Sequence, residues 1–209
     1  MRRAEYEVGG GEGIKGLYGS IAKAGMDKII KVLIQKTGLS PNSVLIDFGS
    51  GLARPLAHAA THPGVRRSVG IEIDAIKDFK ARQFLQRVSK GMQDAGYGDV
   101  ANRIANIRLI LGNINTALNT TRDNNSASAP THAYTFWEGI TAGKHAVARV
   151  FNRLRSLRYI VVVQHGIRGN PELYMQDHGF VPLKLLDRIP VAAQGGRESF
   201  QAYVFKKIT

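Results

Sequence analysis

Asp47-Phe48-Gly49-Ser50-Gly51 closes a short apolar run and leads into a helical stretch. Gly49 and Gly51 let the backbone approach a ligand closely. Helix-start amides after such a turn can hold a carboxylate or another anion. Glu72 lies 25 positions after Asp47, near the end of a second apolar run, Ser68 to Ile73. A carboxylate there can accept both hydroxyls of a ribose. The nearby Asp74 reads as a helix cap. A bare pair of glycines also makes a tight corner between strand and helix, so it is the pairing with Glu72 that points to a ribose-containing ligand.

The elements that must position these residues follow from periodicity. Ala22, Met26, Ile29, Ile30 and Leu33 recur at helical spacing over 20–36, and Gly38 with Ser40-Pro41-Asn42 ends that helix. Val44 to Phe48 and Ser68 to Ile73 read as buried parallel strands, with a helix over 53–61 between them. Ala81, Phe84, Leu85, Val88 and Met92 line a long helix after the second strand. Strands are expected at Ile107 to Leu111, Ala133 to Trp137 and Tyr159 to Gln164, and helices over 143–156 and 170–178. Asn119 to Thr131 is polar and turn-rich and reads as a surface insertion. Val181 to Arg188 and Ser199 to Lys206 leave no room for a crossover helix and should pair antiparallel. The expected fold is α/β: a Rossmann-like, doubly wound seven-strand sheet with a C-terminal antiparallel hairpin. Residues 1–19 read as a flexible glycine-rich segment and 20–209 as one domain.

Asp47-x-Gly-x-Gly, Gly70-Ile71-Glu72 and Leu111-Gly112-Asn113, with the terminal hairpin, resemble the successive cofactor motifs of seven-strand (class I) S-adenosylmethionine methyltransferases. Leu17-Tyr18-Gly19-Ser20-Ile21, LSPNSVLIDFGSG and SVGIEI narrow the resemblance to the "disruptor of telomeric silencing" family of non-SET histone lysine methyltransferases. It is strongest over 17–90. Ser20, Ala53 and Arg54 depart from that family's Glu, Gly and Gln, and Trp137-Glu138 stands where the family has Asn-Asn.

The resemblance implies S-adenosylmethionine as cofactor, held by Tyr18, Asp47, Gly49, Ser50, Gly51, Glu72 and Asn113. Asn113 either bonds the adenine edge or serves the turn. Tyr18 sits on a loop, 9–20, expected to close over the cofactor. Methyl transfer to lysine needs positioning and desolvation more than acid–base machinery. An aromatic channel lowers the acceptor's pKa, and Tyr18, Phe136 and Trp137 can wall it, although Phe136 and Trp137 can equally pack the core. Glu138 can bind the acceptor ammonium, take its proton through water, hold the cofactor's amino group or cap the next helix. The candidate catalytic residues are therefore Tyr18, Trp137 and Glu138. His165, after the fifth strand, can line the site or be structural, and no His, Asp and Glu spacing suggests a metal.

Composition points to the partner. Twenty-nine Lys plus Arg against sixteen Asp plus Glu leave a formal +13, which attracts polyanions. Candidate basic faces are Lys77, Lys80, Arg82, Arg87 and Lys90 on one helix, and Arg149, Arg153, Arg155 and Arg158 near another. No apolar run reaches the roughly 18 residues of a membrane span, and the absence of cysteine excludes disulfides and thiolate metal sites. The expected acceptor is a basic protein, with histone or nucleosome as candidates, in an intracellular setting that is the nucleus if the histone reading holds and otherwise the cytoplasm. An RNA methyltransferase and an inactive nucleic-acid-binding or assembly subunit are the alternatives, and an Asn/Asp-Pro-Pro-aromatic tetrad is absent.

Overall fold

The apolar runs become the strands of one sheet in a computed structural model, whose described residues are 21–117, 129–140, 143–192 and 199–208. Helix α1 (Lys23–Thr37) buries Met26, Ile29, Ile30 and Leu33 and stops at Gly38, whose φ of 70° only glycine adopts without strain. Then follow β1 (Val44–Phe48), α2 (Arg54–Ala59), β2 (Arg67–Glu72), α3 (Ala75–Asp94), α4 (Gly98–Ala105), β3 (Arg108–Leu111) and α5 (Ile114–Ala117). The remainder is β4 (His132–Phe136), a 3₁₀ turn (Trp137–Gly139), α6 (Lys144–Arg153), β5 (Tyr159–Gln164), α7 (Pro171–Asp177), β6 (Leu183–Ala192) and β7 (Ser199–Lys207).

The sheet order is β3-β2-β1-β4-β5-β7-β6. The first five strands run parallel, while β7 inserts antiparallel between β5 and β6. Every residue of β1 and β4 is buried, because apolar layers cover both sheet faces. One layer joins α1, α2 and α3 to Leu45, Tyr134, Val161 and Val204; the other joins α6 and α7 to Ile46, Phe48, Val162 and Phe205. Strand order reverses between β1 and β4, which places the crevice of this fold at their carboxyl ends.

Several elements differ from expectation. Helices α4 and α5 were not anticipated; α4 buries only Ala101 and Ile104, too few apolar positions to show a period. Strand β6 runs to Ala192 through Pro190, which an edge strand tolerates because its missing N–H costs no ladder bond.

Candidate functional site

Asp47 is the fourth residue of β1, 1% exposed, and neither carboxylate oxygen has a hydrogen-bond partner. Burial, and then the negative charge of Glu72, hold its pKa well above the usual carboxylate range. Tyr134 of β4 is its register partner. The Tyr134 hydroxyl is also buried without a partner, and burial and the nearby Asp47 push its pKa up. Ser50 Oγ is a third buried polar atom without one. Buried polar groups in native proteins are nearly always satisfied, so such a cluster at the crevice calls for a ligand or water.

The glycine turn is fastened to β2. The amides of Gly49 and Ser50 both donate to the Ile71 carbonyl at 2.9 Å. Gly51 donates to Glu72 Oε2 at 2.7 Å, and Glu72 Oε1 accepts the amides of Ile73 and Asp74 at 2.9 Å each. Left-handed φ values of 80° at Gly49 and 52° at Gly51 make the turn possible. Ala53, at φ 58°, adopts the same region with a side chain.

These bonds limit what the turn and Glu72 can offer a ligand. The amides at 49, 50 and 51 are spent inside the protein, so the helix-start amides expected to face an anion are those of α2, which begins at Arg54. An ionised carboxylate offers about four acceptor sites. Glu72 uses three on backbone amides, so it retains room for one ribose hydroxyl, not both.

Asn113 is exposed, with Oδ1 accepting the Asn115 amide at 2.9 Å. It opens the turn into α5, and its amide nitrogen is open to an adenine edge. Asp74 caps α3, accepting from Ile76 and Lys77 at 2.9 and 3.2 Å.

Trp137 requires a larger correction. The 3₁₀ turn after β4 swings its indole into the layer of α6 and α7, where it is 0% exposed against Phe180 and His178. Its Nε1 donates to the Tyr174 hydroxyl at 3.3 Å, which donates on to Gln164 Oε1 at 3.1 Å. Trp137 is therefore core and does not wall an acceptor channel. Phe136 is buried edge-on against Phe200, and His165 stacks on Phe200 at 4.4 Å. Glu138 is exposed at the end of β4; α6 is capped by Gly143. Tyr18 and the loop 9–20 lie outside the described residues.

Tyr134 was missed: in a strand buried on both faces, alternation does not separate a site residue from core. No group of three or more His, Asp or Glu able to hold a metal occurs among the described residues. None of the described helices is long and apolar enough to cross a membrane.

Residues 13–105 match the sequence pattern of the family described as "Histone methylation protein DOT1", a stretch that includes the glycine turn and Glu72. No curated protein sequence matches the chain. Among solved structures, a proposed RNA methyltransferase of Pyrococcus horikoshii superposes with a TM-score of 0.59 at 11% identity, covering 100% of both chains. TrmK of M. capricolum, solved with S-adenosyl-homocysteine, gives 0.55 at 11% identity over 87% of this chain and 67% of its own. A proposed tRNA methyltransferase of Streptococcus pneumoniae gives 0.51 at 14% identity over 87% and 71%. With the strand order above, these likenesses show that the chain has the seven-strand class I fold of S-adenosylmethionine methyltransferases.

Proposed function

We propose that the chain is an S-adenosylmethionine-dependent methyltransferase whose acceptor is a lysine amine of a basic, chromatin-like protein. The observation that carries the cofactor reading is Asp47: a buried carboxyl without a partner, beside a turn that Glu72 holds in place. The donor set fits that cofactor's polar groups. Asp47 suits its ammonium, whose charge would offset the cost of ionising a buried acid. Glu72 Oε2 has room for one ribose hydroxyl, and Asn113 keeps its amide nitrogen for the adenine edge. When bound, the cofactor supplies a methyl group made electrophilic by its sulfonium.

The protein's own part is to bind, orient and exclude water. Tyr134 and Ser50 offer further hydroxyls beside Asp47. Glu138, exposed where β4 ends, would draw a cationic amine and receive its proton through water. The match over 13–105 supports the lysine acceptor. The structural neighbours support a second reading, an RNA acceptor, since two are proposed RNA or tRNA methyltransferases.

Transfer of a labelled methyl group from S-adenosylmethionine to nucleosomes, free histones and tRNA separates the two. Label on histone lysine, lost in Glu138→Ala, supports the proposal. Label on tRNA alone replaces it with the second reading, and cofactor binding with no transfer to any of them leaves a binding subunit.

A further inference from the structure

We infer that the amino edge of the sheet, opposite the cofactor end, docks the phosphate backbone of a nucleic-acid duplex. Topology brings the starts of β5 and β6 and the end of β7 to this edge. Lys184 and Lys206 are direct cross-strand partners, and Lys206 in turn pairs with Tyr159, which follows Arg158. Adjacent strands lie roughly 4.8 Å apart, so this row spans about 10 Å. Arg153 and Arg155 join it from the other face, because Lys207 Nζ donates to the Phe151 and Leu154 carbonyls and ties the end of β7 to the end of α6.

All five cations are exposed, and among the described residues none has an ion-pair partner. Like charges placed directly opposite each other on a sheet are destabilising, and an external anion relieves Lys184 against Lys206. The basic stripe on α3 differs. There Arg82 pairs with Asp78 at 2.8 Å and Lys90 with Asp94 at 3.6 Å, so its charge is partly compensated. The sequence behind the edge is uncompensated over a long stretch, with no acid between Glu138 and Glu172.

A duplex, rather than a single strand, fits the patch. Single-strand sites add aromatic platforms for bases. The ring in this row, Tyr159, is half-buried and stacked on His132 at 4.9 Å. Phosphate contacts of this kind position a protein without reading sequence. The edge lies a strand length from the cofactor end, roughly 17–20 Å for a typical strand. The duplex is thus an anchor and not the methyl acceptor.

The test is fluorescence anisotropy of the full chain with a short mixed-sequence duplex DNA over a salt series. The combined variant Arg155→Gln/Arg158→Gln/Lys184→Gln/Lys206→Gln should lose roughly 30-fold or more in affinity at low salt, with a log–log salt slope shallower by about 0.9 for each phosphate contact removed. Lys77→Gln/Lys80→Gln/Arg87→Gln/Lys90→Gln on α3 should lose far less. Equal losses in the two variants, no loss in the edge variant, or tighter binding of the corresponding single strand or of anionic vesicles would overturn the inference. Calorimetry with S-adenosylhomocysteine on the edge variant keeps the two proposals apart: unchanged cofactor binding beside lost duplex binding is the expected pattern.

Discussion

Glu72 Oε2 accepts the Gly51 amide at 2.7 Å, so the last side chain of β2 holds the turn that follows β1. The same carboxylate raises the pKa of Asp47 across that turn. One residue thus shapes the crevice and tunes the buried acid in it.

The turn also depends on Gly70. A Cβ there would lie 2.7 Å from Ser50 Oγ, 2.8 Å from Leu109 Cδ2 and 2.9 Å from Ser50 Cβ. Gly70→Ala should therefore destabilise the protein by about 1–3 kcal/mol, as overpacking does. Gly91, inside α3 with nothing within 4 Å, is the control: Gly91→Ala should stabilise by up to about 1 kcal/mol. Urea unfolding reads both, and an unchanged midpoint in Gly70→Ala would refute the packing argument.

Asp47→Asn should have opposite effects on stability and affinity. In the free protein a carboxyl with a raised pKa binds its proton more tightly than in the unfolded chain, so stability falls as pH rises above the ordinary value of 3.8. The amide removes that loss. The variant should be more stable than the parent at neutral pH, and the advantage should shrink in acid. Its affinity for S-adenosylhomocysteine should fall roughly tenfold or more, the scale of a lost hydrogen bond to a charged group. Melting temperature against pH, with calorimetry, measures both; a variant less stable than the parent at neutral pH would contradict the reading of Asp47 as strained by burial.

The parts of this site legible in the sequence were those fixed by local pattern. Val44–Phe48 and Tyr159–Gln164 stand out as apolar runs, and Asp47, Gly49, Gly51 and Glu72 lie at the strand ends where expected. What was not legible depends on direction and register. A 3₁₀ turn sends Trp137 inward, although it reads in the sequence as the last residue of a strand, able either to wall a channel or to pack the core. That Glu72 consumes an amide of the turn follows from pairing of β1 with β2, which no run of residues displays.

His132 gives the protein an acid limit. It is 3% exposed, stacked on Tyr159 and within 2.9 Å of Thr37 Oγ1 and Thr131 Oγ1, and burial pushes its pKa down to about 4 from 6.5. The folded state keeps it neutral while the unfolded chain protonates, so stability is present above pH 6.5 and is lost as pH falls toward about 4. At 1.36 kcal/mol per unit the loss is about 3 kcal/mol. Urea stability against pH should fall less steeply through this window in His132→Gln, and parallel profiles would rule out His132 as the cause.

The proposed function stands or falls on binding of S-adenosylmethionine and its product in this crevice. Calorimetric titration of S-adenosylhomocysteine into the full chain tests it most directly, run beside Glu72→Ala with folding checked by circular dichroism. The parent should bind saturably and the variant should lose about 1.5–3 kcal/mol, the scale of a hydrogen bond to a carboxylate. No heat and no saturation with the folded parent, or equal affinity in a folded Glu72→Ala protein, would contradict it.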